Sequence, residues 1–175
     1  ELMDATVVDL KVSGKPTTVR ERHQKYYSPF EEAKAEIVSL LFGFHLAEMG
    51  VIKDPEFTAK MAATYTASTF RTVRFGVASD HARGKVFEFN RLIQNGGIVV
   101  EDGKFRVDLP RFRVAVEKLA MEIMDLQCRG TMEVAKSLLE EMGQPPADLD
   151  NALKAIAEQG IPVDLRVKYV MGDNR

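Results

Sequence analysis

The sequence predicts a mainly α fold: a multi-helix domain of about seven helices, with one small β-hairpin and short extended segments at both ends. Three observations carry that prediction. Apolar residues recur at spacings of three and four, most regularly at Phe112, Val116, Leu119, Ile123 and Leu126, which is the stripe of an amphipathic helix. Helix-start and helix-stop residues bracket these runs, as Asp108 and Gly130 do. Period-two stretches are brief, and one of them turns at Asp102-Gly103, a direct hairpin signal. A length of 175 residues suits one domain with a core, spanning 1–175.

Taken in order, the β-branched run Thr6 to Ser13 reads as a strand, punctuated by Gly14-Lys15-Pro16. Thr17 or Thr18 caps a short helix to about Lys25. The next helix, Ser28 to Gly50, is the centre of the chain. Ser28 reads as its N-cap, Pro29 as its first helical residue and Glu31 as the return half of a capping box; Gly50 closes it. Between Ile37 and Ala47 only Ser39, Gly43 and His45 interrupt the apolar residues, so nearly its whole circumference is expected to be covered by protein. Asp54-Pro55-Glu56 starts a helix along Phe57, Met61 and Tyr65 that continues toward Val77. Ser79 or Asp80 caps another to about Asn95, ended by Gly96-Gly97. The hairpin spans Ile98 to Val107, and the regular helix runs from Asp108 to Gly130. Thr131 caps a shorter helix that Gly143 and Pro145-Pro146 break. A last helix runs from about Ala147 to Gln159, and the tail IPVDLRVKYV reads as extended.

Composition narrows the function classes. A net charge of -2, with no helix bearing a concentrated basic face, argues against nucleic acid and anionic membranes as partners and leaves a helix-turn-helix DNA binder weakly supported. The single cysteine, Cys128, excludes an intrachain disulfide and reads as a small core residue. No apolar run has the length of a membrane span and no signal pattern opens the chain, so a soluble protein is expected. The chain begins without methionine, which raises the expectation of a piece of something longer.

Gly-rich phosphate loops, metal-spaced Cys/His sets and nucleophile elbows are absent from the sequence. What remains is the cluster Glu31, Glu32 and Glu36, three histidines, and Arg83 and Lys85. Glu32, Glu36, Ser39 and Gly43 follow 4-3-4 spacing and share one helix face, acidic at its start and small further on. Spacing leaves two readings open. The acids complement the helix dipole in water, or they line a compensated site against another element or a metal. His23, in the polar run ERHQKYY, reads as a surface residue, and His45 as a hydrogen-bonded core residue rather than a ligand. His81 stands at a helix N-terminus, where backbone N–H groups point outward toward an anion or oxyanion; it is either part of a local capping arrangement or a donor to a transition state.

At these residues the chain resembles the zinc-dependent dipeptidyl peptidase III family, its bacterial members in particular. EEAKAE at Glu31 to Glu36 is similar to the family's Glu-Glu-Cys-Arg-Ala-Glu motif and to its bacterial Glu-Glu-Ala-Lys-Ala-Asp form. FRTVRFGVASDHARGK, Phe70 to Lys85, looks like the segment around the family's active-site histidine. The order of Asn-Gly-Gly, hairpin and helix from Phe89 to Gln127 and the ending IPVDLR extend the likeness over almost everything from Thr17 onward. The resemblance implies that Glu32 is a ligand of a catalytic zinc and that Glu31 and Glu36 orient the ligating histidines. It further implies that His81 stabilises the oxyanion at the scissile bond and that Arg83 and Lys85 contact substrate.

The chain departs from the family at one decisive point: no His-Glu-x-x-x-Gly-His sequence, the source of the other two ligands and the general base, occurs in it. One carboxylate does not make a catalytic zinc site. The expectation is therefore the C-terminal part of the catalytic region of a longer, cytoplasmic metallopeptidase, inert and metal-free by itself, whose partners are the rest of its polypeptide and a peptide substrate. The competing expectation is a helical binding or accessory module of a protein that has lost peptidase activity. Glu36, where bacterial relatives often carry aspartate, is a smaller departure that touches only the geometry around the ligands.

Overall fold

A computed structural model describes residues 11–12 and 14–164 of the chain. The elements are β1 (Lys11–Val12), β2 (Lys15–Pro16), α1 (Val19–His23), a 3-10 turn (Gln24–Tyr26), α2 (Tyr27–Glu48), α3 (Phe57–Val73), α4 (Asp80–Gln94), β3 (Ile98–Glu101), β4 (Lys104–Val107), α5 (Leu109–Arg129), α6 (Met132–Met142) and α7 (Ala147–Glu158). The fold is mainly α, as the sequence predicts. β1 and β2 pair antiparallel over two residues each; the earlier part of the expected N-terminal strand and the tail after Asp164 lie outside the described residues. β3 and β4 form the expected antiparallel hairpin, with Ile98 opposite Val107 and Glu101 opposite Lys104. Asp102 and Gly103 supply the two positive φ angles, 51° and 69°, that such a turn requires. None of the described helices is long and apolar enough to cross a membrane.

Most helix ends fall where the capping residues place them. Thr18 caps α1 with a reciprocal bond from Glu21, Ser79 accepts from Ala82 N–H, Asp108 from Arg111 N–H and Thr131 from Val134 N–H. The start of α2 differs. The 3-10 turn feeds straight into it, so Tyr26 is the N-cap without a side-chain bond, Ser28 and Pro29 lie inside the first turn, and the Ser28–Glu31 capping box does not form. Pro29 is still tolerated, because the first N–H groups of a helix have no partner within it. α3 begins at Phe57 after a turn in which Asp54 accepts from Glu56 N–H, and it ends at Val73, short of Val77.

α2 crosses the middle of the molecule against α4, α5 and α3. Its inward side chains Phe30, Ile37, Leu40 and Phe44 meet Val86, Phe87 and Leu92 of α4 and Phe112, Val116 and Leu119 of α5. Phe30 and Phe87 stack edge-on with ring centroids 5.1 Å apart. Full burial of each such side chain contributes roughly 1.5–3 kcal/mol. The expectation that α2 is covered nearly all round is corrected: Ala35, Ser39, Phe42 and His45 are exposed, Phe42 at 60%, and an open apolar groove is lined by Ala35, Val38, Ser39 and Phe42.

Candidate functional site

The 100° step between helix residues sorts the three acids of α2. Glu32 and Glu36, four apart, share a side that faces the first turns of α4, whereas Glu31 turns toward α5. The approach of α4 depends on Gly84: a Cβ there would lie 2.5 Å from the carbonyl oxygen of Pro29 on the backbone of α2. Only a glycine lets the two helices cross this closely. The crossing puts His81, one turn earlier on α4, beside the acidic side of α2. His81 Nδ1 lies 3.2 Å from Glu32 Oε2 and Nε2 3.7 Å from Glu36 Oε1. Glu32 and His81 are each about half exposed, at 47% and 50%, so both stay open to a partner from outside.

Below them the site becomes dry. Lys85 is 1% exposed and forms an ion pair with Glu36 Oε2; its Nζ sits 3.4 Å from the centroid of the Tyr65 ring and 4.0 Å from Glu88 Oε2. Glu88 is fully buried and accepts a hydrogen bond from the Tyr65 hydroxyl, while its Oε1 has no hydrogen-bond partner. Burial pushes the Glu88 carboxyl well above the usual carboxylate range, and the nearby Lys85 ammonium pulls the other way. Burial likewise holds the Tyr65 phenol well above its ordinary value.

The structure therefore brings Glu32, Glu36, His81 and Lys85 together and leaves the other candidates apart. Glu31 is held by Lys34 at 2.7 Å and by Gln127 of α5. Arg83 faces its own helix start, 3.7 Å from Asp80. His45 is exposed near the end of α2 rather than inside the core. His23 is a second correction: it is buried, with Nε2 3.3 Å from the carbonyl of Gly130, because α1 packs against the α5–α6 junction, and burial lowers its pKa. Tyr65 and Glu88 did not stand out in the sequence. The available signal was that Glu88 falls three residues after Lys85 and interrupts the apolar run Val86, Phe87 and Phe89.

With Nδ1–H donating to Glu32, His81 is held in one orientation; Nε2 then carries a lone pair for a donor or, in the imidazolium, a second N–H for Glu36 or another anion. Glu32 offers a carboxylate to a cation. Among the described residues no group of three or more His, Cys, Asp and Glu is placed to hold a metal ion. The donor set thus fits one contributor to a metal site and not a whole one.

No protein-family model matches the chain. The solved structure of DPP III from Caldithrix abyssi superposes with a TM-score of 0.82 at 28% identity, covering 90% of this chain and 30% of that one. That of dipeptidyl peptidase III from Corallococcus sp. strain EGB gives 0.82 at 32%, covering 90% and 29%. The Arabidopsis thaliana protein named Nudix hydrolase 3 is 32% identical over 161 residues, 91% of this chain and 21% of that protein. The chain spans about a fifth of the curated relative and three-tenths of each solved chain. The plant protein's name covers a polypeptide that lies mostly outside the match. The resemblance to bacterial dipeptidyl peptidase III holds in fold as well as in sequence, and the fold is peptidase-like.

Proposed function

We propose that this chain is the C-terminal part of the catalytic region of a longer, cytoplasmic zinc metallopeptidase that removes dipeptides from the N-termini of short peptides. The observation that carries the reading is the half-open Glu32–His81 pair at the Gly84 crossing, in a fold shared with two dipeptidyl peptidases III. Glu32 would contribute one carboxylate to a zinc ion, and Glu31 and Glu36, on different sides of it, would orient histidines that come from elsewhere in the polypeptide. Zinc, when bound, supplies an activated water and a Lewis acid. His81 holds its ring against Glu32 through Nδ1–H and, as an imidazolium, donates Nε2–H to the oxygen on which charge develops. Arg83, partly exposed two residues on, is a cation that would reach a substrate carboxylate or carbonyl by turning away from Asp80. Lys85 is covered by Tyr65 and Glu36, so its contribution to substrate passes through Glu36.

The general base and two ligands are not in these 175 residues, so the chain by itself is inactive and binds no catalytic zinc. The exposed apolar side of α2, with Phe42 and Val38 next to the acidic cluster, supports the remainder of the polypeptide as the partner that covers it. The test uses the full-length gene product: zinc content by elemental analysis, and dipeptide release from short peptides by mass spectrometry. Stoichiometric zinc, its loss in Glu32→Ala, and a kcat about a hundredfold lower in His81→Ala at similar KM are the expected results. Zinc content untouched by Glu32→Ala would remove Glu32 from the site. A protein with neither zinc nor cleavage would be the accessory module instead.

A further inference from the structure

We infer that Tyr65 and Glu88 are positioning residues for this site: they form a buried seat for the Lys85 ammonium, and Lys85 in turn fixes Glu36 beside His81. The inference rests on the proposed function for what the site does, but not for the seat itself. Three helices build it. α3 supplies Tyr65, α4 supplies Lys85 and Glu88, and α2 supplies Glu36.

The ammonium lies over the Tyr65 ring at 3.4 Å from its centroid, an attractive placement for a cation that has lost its water. Below it, Glu88 Oε2 is 4.0 Å away and already engaged by the Tyr65 hydroxyl. Above it, Glu36 makes the direct ion pair, and Glu36 is the one partner that reaches solvent, at 26% exposure. One ammonium thus faces two carboxyl groups. If both were ionised, an uncompensated negative charge would sit in a dry core, which costs several kcal/mol. The geometry says which one gives way. Glu88 is fully buried and has an oxygen without any partner, whereas Glu36 is partly hydrated and contacts Lys85 directly. A neutral Glu88 leaves the whole Lys85 charge to Glu36, so Glu36 is held by an ion pair whose other end cannot move. Its second oxygen then stands 3.7 Å from His81 Nε2 in a fixed place.

The test has two arms. In the 175-residue chain, proton exchange of the Lys85 side-chain ammonium is followed by NMR. Slow exchange in the parent, kept in Tyr65→Phe and Glu88→Gln and at least about tenfold faster in Tyr65→Leu and Glu36→Gln with backbone signals intact, is the expected result. Unchanged exchange in Tyr65→Leu or Glu36→Gln overturns the seat. Where Tyr65→Leu does not fold, the ring-keeping and neutral variants decide, because fast exchange in either one within a folded chain overturns it too. In the full-length protein, Tyr65→Leu is expected to lower kcat about tenfold at nearly constant KM, with Tyr65→Phe recovering most of it. A purely structural Tyr65 would lower thermal stability and leave kcat alone, which also overturns the inference. If the full-length protein releases no dipeptides, the proposed function fails while the ammonium exchange still decides the seat.

Discussion

Replacing Glu88 by glutamine gives the sharpest physical check on this site, because it separates a neutral buried acid from an ionised one. Glu88 faces Lys85 from its own helix, Tyr65 from α3 and Glu36 from α2, and burial is the largest influence on its carboxyl. In the folded protein that burial holds its pKa well above the usual carboxylate range. For an acid raised in this way the sign is fixed. Its contribution to stability is complete below the unfolded pKa and declines as pH rises toward the folded pKa, since unfolding then releases a proton. One proton corresponds to about 1.4 kcal/mol per pH unit, hence of order 2–3 kcal/mol between about pH 5 and pH 7 if the group stays protonated across that window. Glutamine has the same shape and no proton to lose. Urea unfolding of the parent and Glu88→Gln at several pH values, compared as a difference so that all other titrations cancel, should show the variant gaining on the parent as pH rises. Parallel curves, or a parent that gains on the variant, would mean that Glu88 is ionised and shares Lys85 with Glu36, and the reasoning would fail.

Two further expectations concern the frame around the site. Gly84→Ala places a Cβ 2.5 Å from the Pro29 carbonyl and 3.4 Å from Ala33 N, both backbone atoms of a central helix, so α4 must shift; a loss of about 1–3 kcal/mol in urea unfolding is expected, together with weaker His81–Glu32 contact by NMR. Asp108→Ala removes the side-chain acceptor for Arg111 N–H at the start of α5 and should cost about 1 kcal/mol, seen as a melting temperature lower by about 2–4 °C with the site unaffected.

The fold was legible wherever a local residue had a local job. Asp102-Gly103, Ser79, Asp108 and Thr131 act within three residues of themselves, and each marks the turn or helix start that the structure contains. Ser28 was equally suggestive and did not cap, because the preceding residues wind a 3-10 turn that runs on into α2 and leaves no extended N-cap for the serine to occupy. Burial was less legible, since it is decided by partners distant in sequence. His23 sits in a run of charged residues but meets Gly130, and Glu88 is buried because Tyr65 and Lys85, from two helices, close over it. The apolar sequence of α2 says that its faces avoid water; it does not say whether these 175 residues do the covering, and at Phe42 they do not.

The acidic cluster bears on the mechanism through geometry alone. In EEAKAE the three glutamates read as one group, yet residues one apart on a helix point about 100° away from each other and residues four apart share a side. Glu32 and Glu36 accordingly meet His81 on α4, and Glu31 meets Lys34 and the Gln127 amide on the α5 side. If Glu31 and Glu36 each orient an imidazole bound to the same metal as Glu32, they must orient different ones, from opposite flanks of α2. The two flanks are not equivalent. Glu36 is anchored through Lys85 to a buried seat, whereas Glu31 is anchored to a lysine on its own helix and to an amide whose Oε1 is itself without a partner. Glu36→Gln breaks the direct ion pair of a fully buried ammonium and leaves it only the more distant Glu88 carboxyl, while Glu31→Gln breaks an ion pair with Lys34, whose ammonium is partly hydrated. The first should therefore disturb zinc binding and catalysis in the full-length protein more than the second, and equal effects would mean that the Lys85 anchor carries no weight.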